Sequence, residues 1–285
     1  MIPKIIHYCW FGRGEKPELA KKCIASWKKF CPDFELREWN EDNFDIHCCP
    51  YVEEAYASKK YAFVTDYVRL YAMYTCGGIY MDTDVEVVRP LDEFLTCKAF
   101  SGFESTRCVP TGIMASEKGV PIIRKLLDYY TGKHFLNDDG SQDMTTNCVS
   151  ITNIMLTHGL ELNGKLQTVA EFTFYPSDFF CPFEHETGVL RRTDNTAAIH
   201  WFNKSWLPQT VRLRSRITRV FHRIFGVDCF RWLKKMNPLG SVTGKLTKTE
   251  NTYSIHWYSM SWLPKRTQIR AKLGRVWRRM RKRPR

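Results

Sequence analysis

Two aspartates separated by one residue, Asp82 and Asp84, are the first pattern in the chain that could do chemistry. On an extended chain, side chains two residues apart point to the same side, so both carboxylates could reach one hard cation. Oxygen ligands favour Mg²⁺ or Mn²⁺, and a diphosphate could fill the remaining coordination positions. Aspartate is also common in turns, so the pattern alone leaves a purely structural role open.

An acidic and a basic residue, Asp66 and Arg69, lie upstream on a helix predicted over 61–76. Their i, i+3 spacing places them on one helix face, where an exposed ion pair would contribute little to stability. Apolar residues such as Val64 and Leu70 surround the pair, so the helix is predicted to be buried. Since buried charges need partners, the pair favours a functional site over a solvated surface.

The surrounding pattern predicts the elements that position these residues. Apolar or alternating runs predict strands over 4–10, 34–39 and 79–81, and apolar residues three or four apart predict a helix over 17–31 besides that over 61–76. This order of strands and helices predicts an α/β sheet, in which ligands bind at the carboxyl ends of strands. A further strand is predicted over 111–115 beside the site, with Gly112 allowing a close approach.

Several blocks of sequence carry a family resemblance. They are Ile2-Pro3-Lys4-Ile5-Ile6-His7 with Trp10, Ala62 to Arg69, Gly77 to Asp84, and Ile199-His200-Trp201 with Ser205-Trp206-Leu207. In this order, over about residues 1–207, they resemble glycosyltransferase family 32. This family includes bacterial capsular and surface polysaccharide enzymes and fungal mannosyltransferases.

The resemblance implies a fold and a division of the chain. It implies a GT-A type, Rossmann-like nucleotide-sugar-binding domain over 1–208, which is the catalytic domain. A basic helical C-terminal extension would follow over 209–285.

The resemblance also implies roles for individual residues. Trp10 would stack on the nucleotide base, although a core position is an equal alternative from the sequence. Asp66 and Arg69 would hold the donor sugar and act in catalysis with Asp82 and Asp84, which would bind the metal and the diphosphate.

A C-terminal loop is implied to close over the metal and diphosphate through His200, Ser205 and Trp206, with His200 as a further metal ligand. Without the resemblance, a packed histidine beside Trp201 would be the favoured interpretation of His200.

The implied function is a metal-dependent, retaining glycosyltransferase using Mn²⁺ or Mg²⁺. It would move a hexosyl group from a nucleotide-sugar, with a UDP-sugar favoured, to a glycan or lipid-linked acceptor in capsular or surface polysaccharide synthesis. Retention would follow from front-side attack, in which a donor phosphate oxygen takes the acceptor proton; double displacement through Asp66 is the alternative. GDP-mannose-dependent mannosyl transfer and a non-catalytic membrane- or nucleic-acid-binding protein remain open.

The acceptor side departs from the family pattern. Family members often carry a Thr-Gly-Pro element where this chain has residues 141–147, and Gln142 and Asp143 are the candidates there for lining an acceptor pocket.

The C-terminal third contains a duplication. Residues 187–224 repeat in part at an offset of 56, so that His256 and Ser261 correspond to His200 and Ser205. We expect the first copy to serve the site, because only that copy follows a stretch resembling the family at residues 175–180.

Charge divides the chain sharply. Residues 204–285 hold 22 Lys and Arg against 2 Asp and Glu, a net charge of +20, whereas residues 1–203 hold 21 against 28, a net charge of −7. Each repeat ends in a predicted amphipathic helix with aromatic residues among the apolar ones, a pattern typical of helices at an anionic membrane surface. An ordinary surface helix packed on the body is the alternative.

Composition excludes other classes. With 44% hydrophobic and 14% aromatic residues, the chain is too apolar to be disordered, and it has no ~20-residue apolar run that could span a membrane. Its first residues are predicted to form a strand, so we expect no leader segment. The 11 cysteines contain no C-x-x-C pair, so a reducing cytoplasm is predicted, with attachment to the inner face of the cell membrane. The acidic body argues against a nucleic-acid partner.

Overall fold

The computed structural model describes residues 1–106, 108–110, 112–203 and 209–227, apart from the side chains of Gln209 and Arg212. All of them fall within one compact unit, residues 1–231. The boundary predicted at residue 208 stays a prediction. Ser205, Trp206, His256 and Ser261, together with the second amphipathic helix, lie outside the described residues.

The described residues form short strands and helices that alternate along the chain. The strands are β1 (Ile5–Cys9), β2 (Glu35–Trp39), β3 (Gly78–Met81), β4 (Val85–Val87), β5 (Ala99–Gly102), β6 (Ile113–Ser116), β7 (Gln167–Val169), β8 (Phe172–Tyr175) and β9 (Ala198–His200). The helices are α1 (Glu18–Phe30), α2 (Pro50–Ala57), α3 (Tyr61–Cys76), α4 (Pro121–Asp128), α5 (Asn147–Thr157), α6 (Ser177–Phe180) and α7 (Gln209–Phe225), with a 3-10 helix at Asp92–Thr96.

Seven of the described strands form one mixed sheet in the order β2-β1-β3-β6-β5-β8-β7. The neighbours β1 and β2, β1 and β3, and β5 and β8 run parallel, whereas β6 runs antiparallel to both β3 and β5. The strands β4 and β9 form a separate antiparallel ribbon. The predicted α/β class is therefore confirmed.

Side chains of the central strands alternate between two apolar layers. In β3, Tyr80 packs in one layer with residues of α2 to α5, whereas Ile79 and Met81 pack in the other with residues of α1, α6 and the β4–β9 ribbon. This alternation follows from the two-residue period of a strand. Both faces of the sheet are thus covered by apolar layers.

The predicted elements of the first 81 residues are present with small shifts at their ends. Pro17 caps α1 instead of lying within it, and α3 has the predicted bounds. The helix α3 ends because Gly77 has a φ of +70°, and a side chain there would lie 2.7 Å from the backbone nitrogen of Lys118. The strand predicted over 111–115 begins two residues later, as β6.

Candidate active site

The D-x-D segment follows the last residue of β3 and forms a turn. The backbone N–H of Val85 donates to the carbonyl of Asp82 over 3.0 Å, and the chain then continues as β4. The prediction that the two aspartates lie on an extended strand end was wrong in this detail. The turn carries the chain from the main sheet into the β4–β9 ribbon, so the two carboxylates meet different neighbours.

Asp82 faces the α3 side of the sheet. Its Oδ1 accepts hydrogen bonds from Arg69 Nη2 and from the Tyr80 hydroxyl, each over 3.1 Å. The same Arg69 nitrogen lies 3.3 Å from Asp66 Oδ1, and the guanidinium stacks over the Tyr80 ring at 4.6 Å. One buried cation therefore joins the predicted helix pair to the first aspartate of the motif.

The charged and polar groups of this network are buried and therefore poorly hydrated. Asp66 and Arg69 are each only 8% exposed, as the apolar surroundings of the pair predict. Burial raises the pKa of Asp66 to about 7, with Arg69 opposing the rise and Asp82 adding to it. Desolvation is thus the dominant influence on this carboxyl group.

Asp84 faces the opposite layer, where β9 brings His200 to it. The register pairs His200 with Val85, and His200 Nε2 lies 3.4 Å from Asp84 Oδ1. The other oxygen, Oδ2, accepts a hydrogen bond of 2.7 Å from the backbone N–H of Asn203. Burial raises the pKa of Asp84 and lowers that of His200, but their mutual attraction outweighs burial, so the net shifts are downward for Asp84 and well upward for His200.

The side chains of Asp82, Asp84 and His200 converge closely enough to hold one cation. Their ligand atoms all lie within 4.8 Å of one another, although the residues are up to 118 positions apart in the chain. Carboxylates suit Mg²⁺ and Mn²⁺, and an imidazole ligand moves the preference toward a transition ion. The donor set therefore fits the predicted divalent metal, with Mn²⁺ better matched than Mg²⁺.

Gly112 lies directly against this group. Its carbonyl accepts the Asp82 N–H over 2.8 Å. A methyl group added at Gly112 would lie 2.9 Å from Val85 Cγ2 and 3.1 Å from both Asp82 Oδ2 and His200 Cδ2. The close approach predicted for this glycine is thus present, and its reason is the packing of the carboxylate and the imidazole.

Trp10 follows β1, which lies parallel to β3, so its position is at the same edge of the sheet as the D-x-D turn. Its indole is half-buried, donates to the carbonyl of Gly14 over 2.6 Å, and has the ammonium of Lys16 at 5.6 Å from its ring. It is not a core residue, and this position is compatible with the predicted stacking on a base.

Asn147, at the start of α5, is a site residue that the sequence analysis did not single out. Its backbone N–H donates to Asp66 Oδ2 and its Nδ2 to the Asp66 carbonyl, each over 3.2 Å. Its Oδ1 is buried without a hydrogen-bond partner among the described residues, as is Nε of Arg69. A buried acceptor and a buried donor left unpaired beside one carboxylate indicate a place for a polar ligand. The one signal for Asn147 in the sequence was indirect: it is the last residue of the segment 141–147, which departs from the family pattern.

The acceptor candidates have structural partners. Asp143 forms an ion pair of 2.8 Å with Lys133 and accepts a hydrogen bond from the Thr145 N–H. Gln142 forms an isolated antiparallel β-bridge with Leu136. Their role in binding an acceptor stays a prediction.

The α/β sheet thus carries a D-x-D turn at its strand ends, next to a buried Asp–Arg pair. Residues 17–101, which include both features, match the family described as "Glycosyltransferase sugar-binding region containing DXD motif". The resemblance predicted from the sequence is thereby confirmed.

One curated relative is inositol phosphoceramide mannosyltransferase 3 of Schizosaccharomyces pombe. It is 31% identical over 146 residues, which cover 47% of this chain and 40% of that protein. The chain therefore spans less than half the length of the curated relative it matches.

Three solved structures are similar at lower identity. The PaToxG glycosyltransferase is 21% identical with a TM-score of 0.41, over 55% of this chain and 68% of that one. A glycosyltransferase involved in glycosylation of the major capsid of PBCV-1 is 11% identical with a TM-score of 0.41, over 75% and 100%. The galactosyltransferase LgtC, in complex with donor and acceptor sugar analogues, is 15% identical with a TM-score of 0.39, over 84% and 97%.

Proposed function

We propose that this protein is a metal-dependent, retaining glycosyltransferase that moves a hexosyl group from a nucleotide-sugar, a UDP-sugar by preference, to a glycan or lipid-linked acceptor. The observation that carries the proposal is the convergence of Asp82, Asp84 and His200 within 4.8 Å at the strand ends. Capsular or surface polysaccharide synthesis is the process in which we place it.

The residues of this cluster and those around it would have different roles in binding the metal and the donor. Asp82, Asp84 and His200 would hold the cation, which when bound acts as a Lewis acid on the departing diphosphate. Trp10 would stack on the base. The unpaired Oδ1 of Asn147 and Nε of Arg69 provide an acceptor and a donor for hydroxyl and phosphate oxygens of the substrate.

Retention is compatible with front-side attack and with double displacement through Asp66, and the contacts of Asp66 support the first. Both of its oxygens are already engaged, Oδ1 by Arg69 and Oδ2 by the Asn147 N–H. This favours a carboxylate that orients a sugar hydroxyl over one that attacks the anomeric carbon. The acceptor oxygen would bond to the anomeric carbon on the face from which the diphosphate leaves, and its proton would pass to a phosphate oxygen of that diphosphate.

A second donor is favoured by one specific observation. The curated relative is named as a mannosyltransferase, with inositol phosphoceramide, a lipid, in its name. Mannosyl transfer from GDP-mannose to a lipid-linked acceptor is therefore the second candidate.

The decisive experiment is a panel of UDP- and GDP-sugars with Mn²⁺, scored by metal-dependent release of nucleoside diphosphate. We expect one donor to be turned over and Asp84→Asn to lower the rate roughly 100-fold or more, because Lewis-acid stabilisation amounts to several kcal/mol. Asp128→Asn, on the exposed side of α4, is the matched control. Equal rates with a chelator present would contradict the metal dependence of the transfer. If no donor is turned over, a non-catalytic protein is favoured.

We also propose that α7 attaches this protein to an anionic membrane surface, on the inner face of the cell membrane. None of the described helices is both long and apolar enough to span a bilayer. In α7, Ile217, Val220 and Ile224 are 53%, 56% and 65% exposed. Arg219 and Arg223 instead point to the body, where they donate to the carbonyls of residues 185, 187 and 188.

Co-sedimentation with vesicles tests this attachment. We expect binding to vesicles rich in anionic lipid, weakened by salt and by Ile217→Asn with Ile224→Asn, and absent for neutral vesicles. Comparable binding to DNA would overturn the assignment of a membrane partner.

A further inference from the structure

A second cluster of metal-ligand side chains lies outside the D-x-D site. It consists of Glu104, Cys108 and Cys148, whose ligand atoms all lie within 4.8 Å of one another. All three side chains are half-buried, and the proposed transfer reaction uses none of them.

Two of the ligands come from one tight loop after β5. The backbone N–H of Glu104 donates to the carbonyl of Cys108 over 3.0 Å, which brings their side chains together. Cys108 Sγ then lies 3.9 Å from Glu104 Oε1 and 3.5 Å from Ser105 Oγ. The loop thus presents a carboxylate and a thiol to the same point.

The third ligand comes from the first turn of α5, 40 residues later in the chain. Cys148 Sγ lies 3.1 Å from the carbonyl oxygen of Pro110. The loop is held to α5 at this level, because Thr152 Oγ1 donates to the Val109 carbonyl over 2.7 Å and accepts from the Val109 N–H over 3.0 Å. The convergence is therefore built by hydrogen bonds to main-chain atoms of the loop.

We propose that Glu104, Cys108 and Cys148 bind one thiophilic divalent cation of the Zn²⁺ class, at a site separate from Asp82, Asp84 and His200. Thiolate ligands select Zn²⁺ over Mg²⁺ or Mn²⁺, and a carboxylate is an accepted third zinc ligand. A water molecule would take the fourth position of a tetrahedral site. Both thiols lose their protons to solvent as the two metal–sulfur bonds form, and no oxidation or reduction is involved.

The bound cation would also position part of the active site. Cys148 directly follows Asn147, which donates two hydrogen bonds to Asp66. Tying the start of α5 to the loop after β5 would hold Asn147 in place. This consequence rests on the proposed function, whereas the metal site itself does not.

The test uses the full-length protein, reduced and freed of metal, with Co²⁺ as a spectroscopic probe and Zn²⁺ as competitor. We expect a thiolate-to-cobalt charge-transfer band that saturates at one equivalent and is abolished by Zn²⁺. Cys108→Ser and Cys148→Ser should each weaken binding at least about 100-fold, while Cys48→Ser, at an exposed cysteine, should not. Asp84→Asn should lose turnover but keep the band, which separates failure of this proposal from failure of the proposed function.

A second measurement needs no variant and so does not depend on the variants folding. Zn²⁺ should protect Cys108 and Cys148 of the native protein from alkylation by iodoacetamide, as read by peptide mass spectrometry. A missing band, a band that survives both serine variants, or unprotected cysteines would overturn the site. A disulfide between the two cysteines whose reduction restores no cation binding would also overturn it.

Discussion

Replacing Arg69 by methionine tests the physical basis of the site most directly. This guanidinium lies 3.3 Å from Asp66 and 3.1 Å from Asp82, and the three side chains are only 9%, 12% and 25% exposed. Methionine has a similar length and no charge, so the substitution leaves two carboxylates without their cationic partner in a largely buried place.

The expected loss of stability in Arg69→Met follows from these contacts. At an effective dielectric constant near 20, an ionised carboxylate at these distances gains about 5 kcal/mol from the cation before desolvation is counted. Asp66 is only partly ionised at pH 7, so its share is smaller. Because the arginine is itself costly to bury, removal of one partner from such a network typically destabilises by about 3–5 kcal/mol. The loss of the contact with the Tyr80 ring adds to this. We therefore expect the free energy of unfolding at pH 7 to fall by about 3–5 kcal/mol.

The assay is urea unfolding at pH 7 with a chelator present, followed by tryptophan fluorescence. The slope against urea should stay unchanged, so that the midpoint alone reports the loss. Arg124→Met is the matched control, since that arginine pairs over 2.7 Å with Asp128 at the surface and should cost under about 1 kcal/mol.

A double variant separates the unpaired charge from general damage. Adding Asp66→Asn removes one of the stranded carboxylates, so Arg69→Met should cost less in that background, with a coupling of roughly 1–3 kcal/mol. If Arg69→Met costs no more than Arg124→Met, or if the two changes add without coupling, the electrostatic reasoning is refuted.

The other predictions concern positions around this network. Burial lowers the pKa of His7 from 6.5 to about 4, so its contribution to stability is complete above pH 6.5 and is lost as pH falls toward 4. This loss is about 3 kcal/mol, and His7→Gln should flatten the pH dependence of urea midpoints over that range; an unchanged slope contradicts it. Gly112→Ala should lower Mn²⁺-dependent turnover at least about tenfold because the methyl crowds the carboxylate and imidazole, whereas Gly14→Ala, in open space, should not. His200→Ala should abolish most turnover and His256→Ala should leave it nearly intact; equal losses in the rate assay would reverse the assignment of the repeats.

Local patterns were sufficient for the elements that carry the motif. The helix α3 was predictable because its apolar residues recur at helical spacing and two glycines follow it, and its burial explained why Asp66 and Arg69 needed partners. The short strand before the D-x-D was predictable from three consecutive apolar residues ending at an aspartate pair.

Other features depend on contacts between distant parts of the chain. The pairing of His200 with Asp84 requires β9 to lie against β4, and the sequence carried no signal for either of these three-residue strands. Asn147 reaches Asp66, 81 residues away in sequence, only because the fold brings the start of α5 to α3. Neither contact follows from a local period.

The sequence by itself determined the α/β class, the buried Asp–Arg helix and the resemblance to D-x-D glycosyltransferases, because these depend on residue types at short, regular spacings. Only the tertiary structure decided that the chain turns at the D-x-D segment, so that Asp82 contacts Arg69 and Asp84 contacts His200 while both carboxylates still converge with His200. The physical reason is that the chain passes at this turn from the main sheet to the β4–β9 ribbon. The contacts of each aspartate therefore depend on which distant elements pack on its side of the turn.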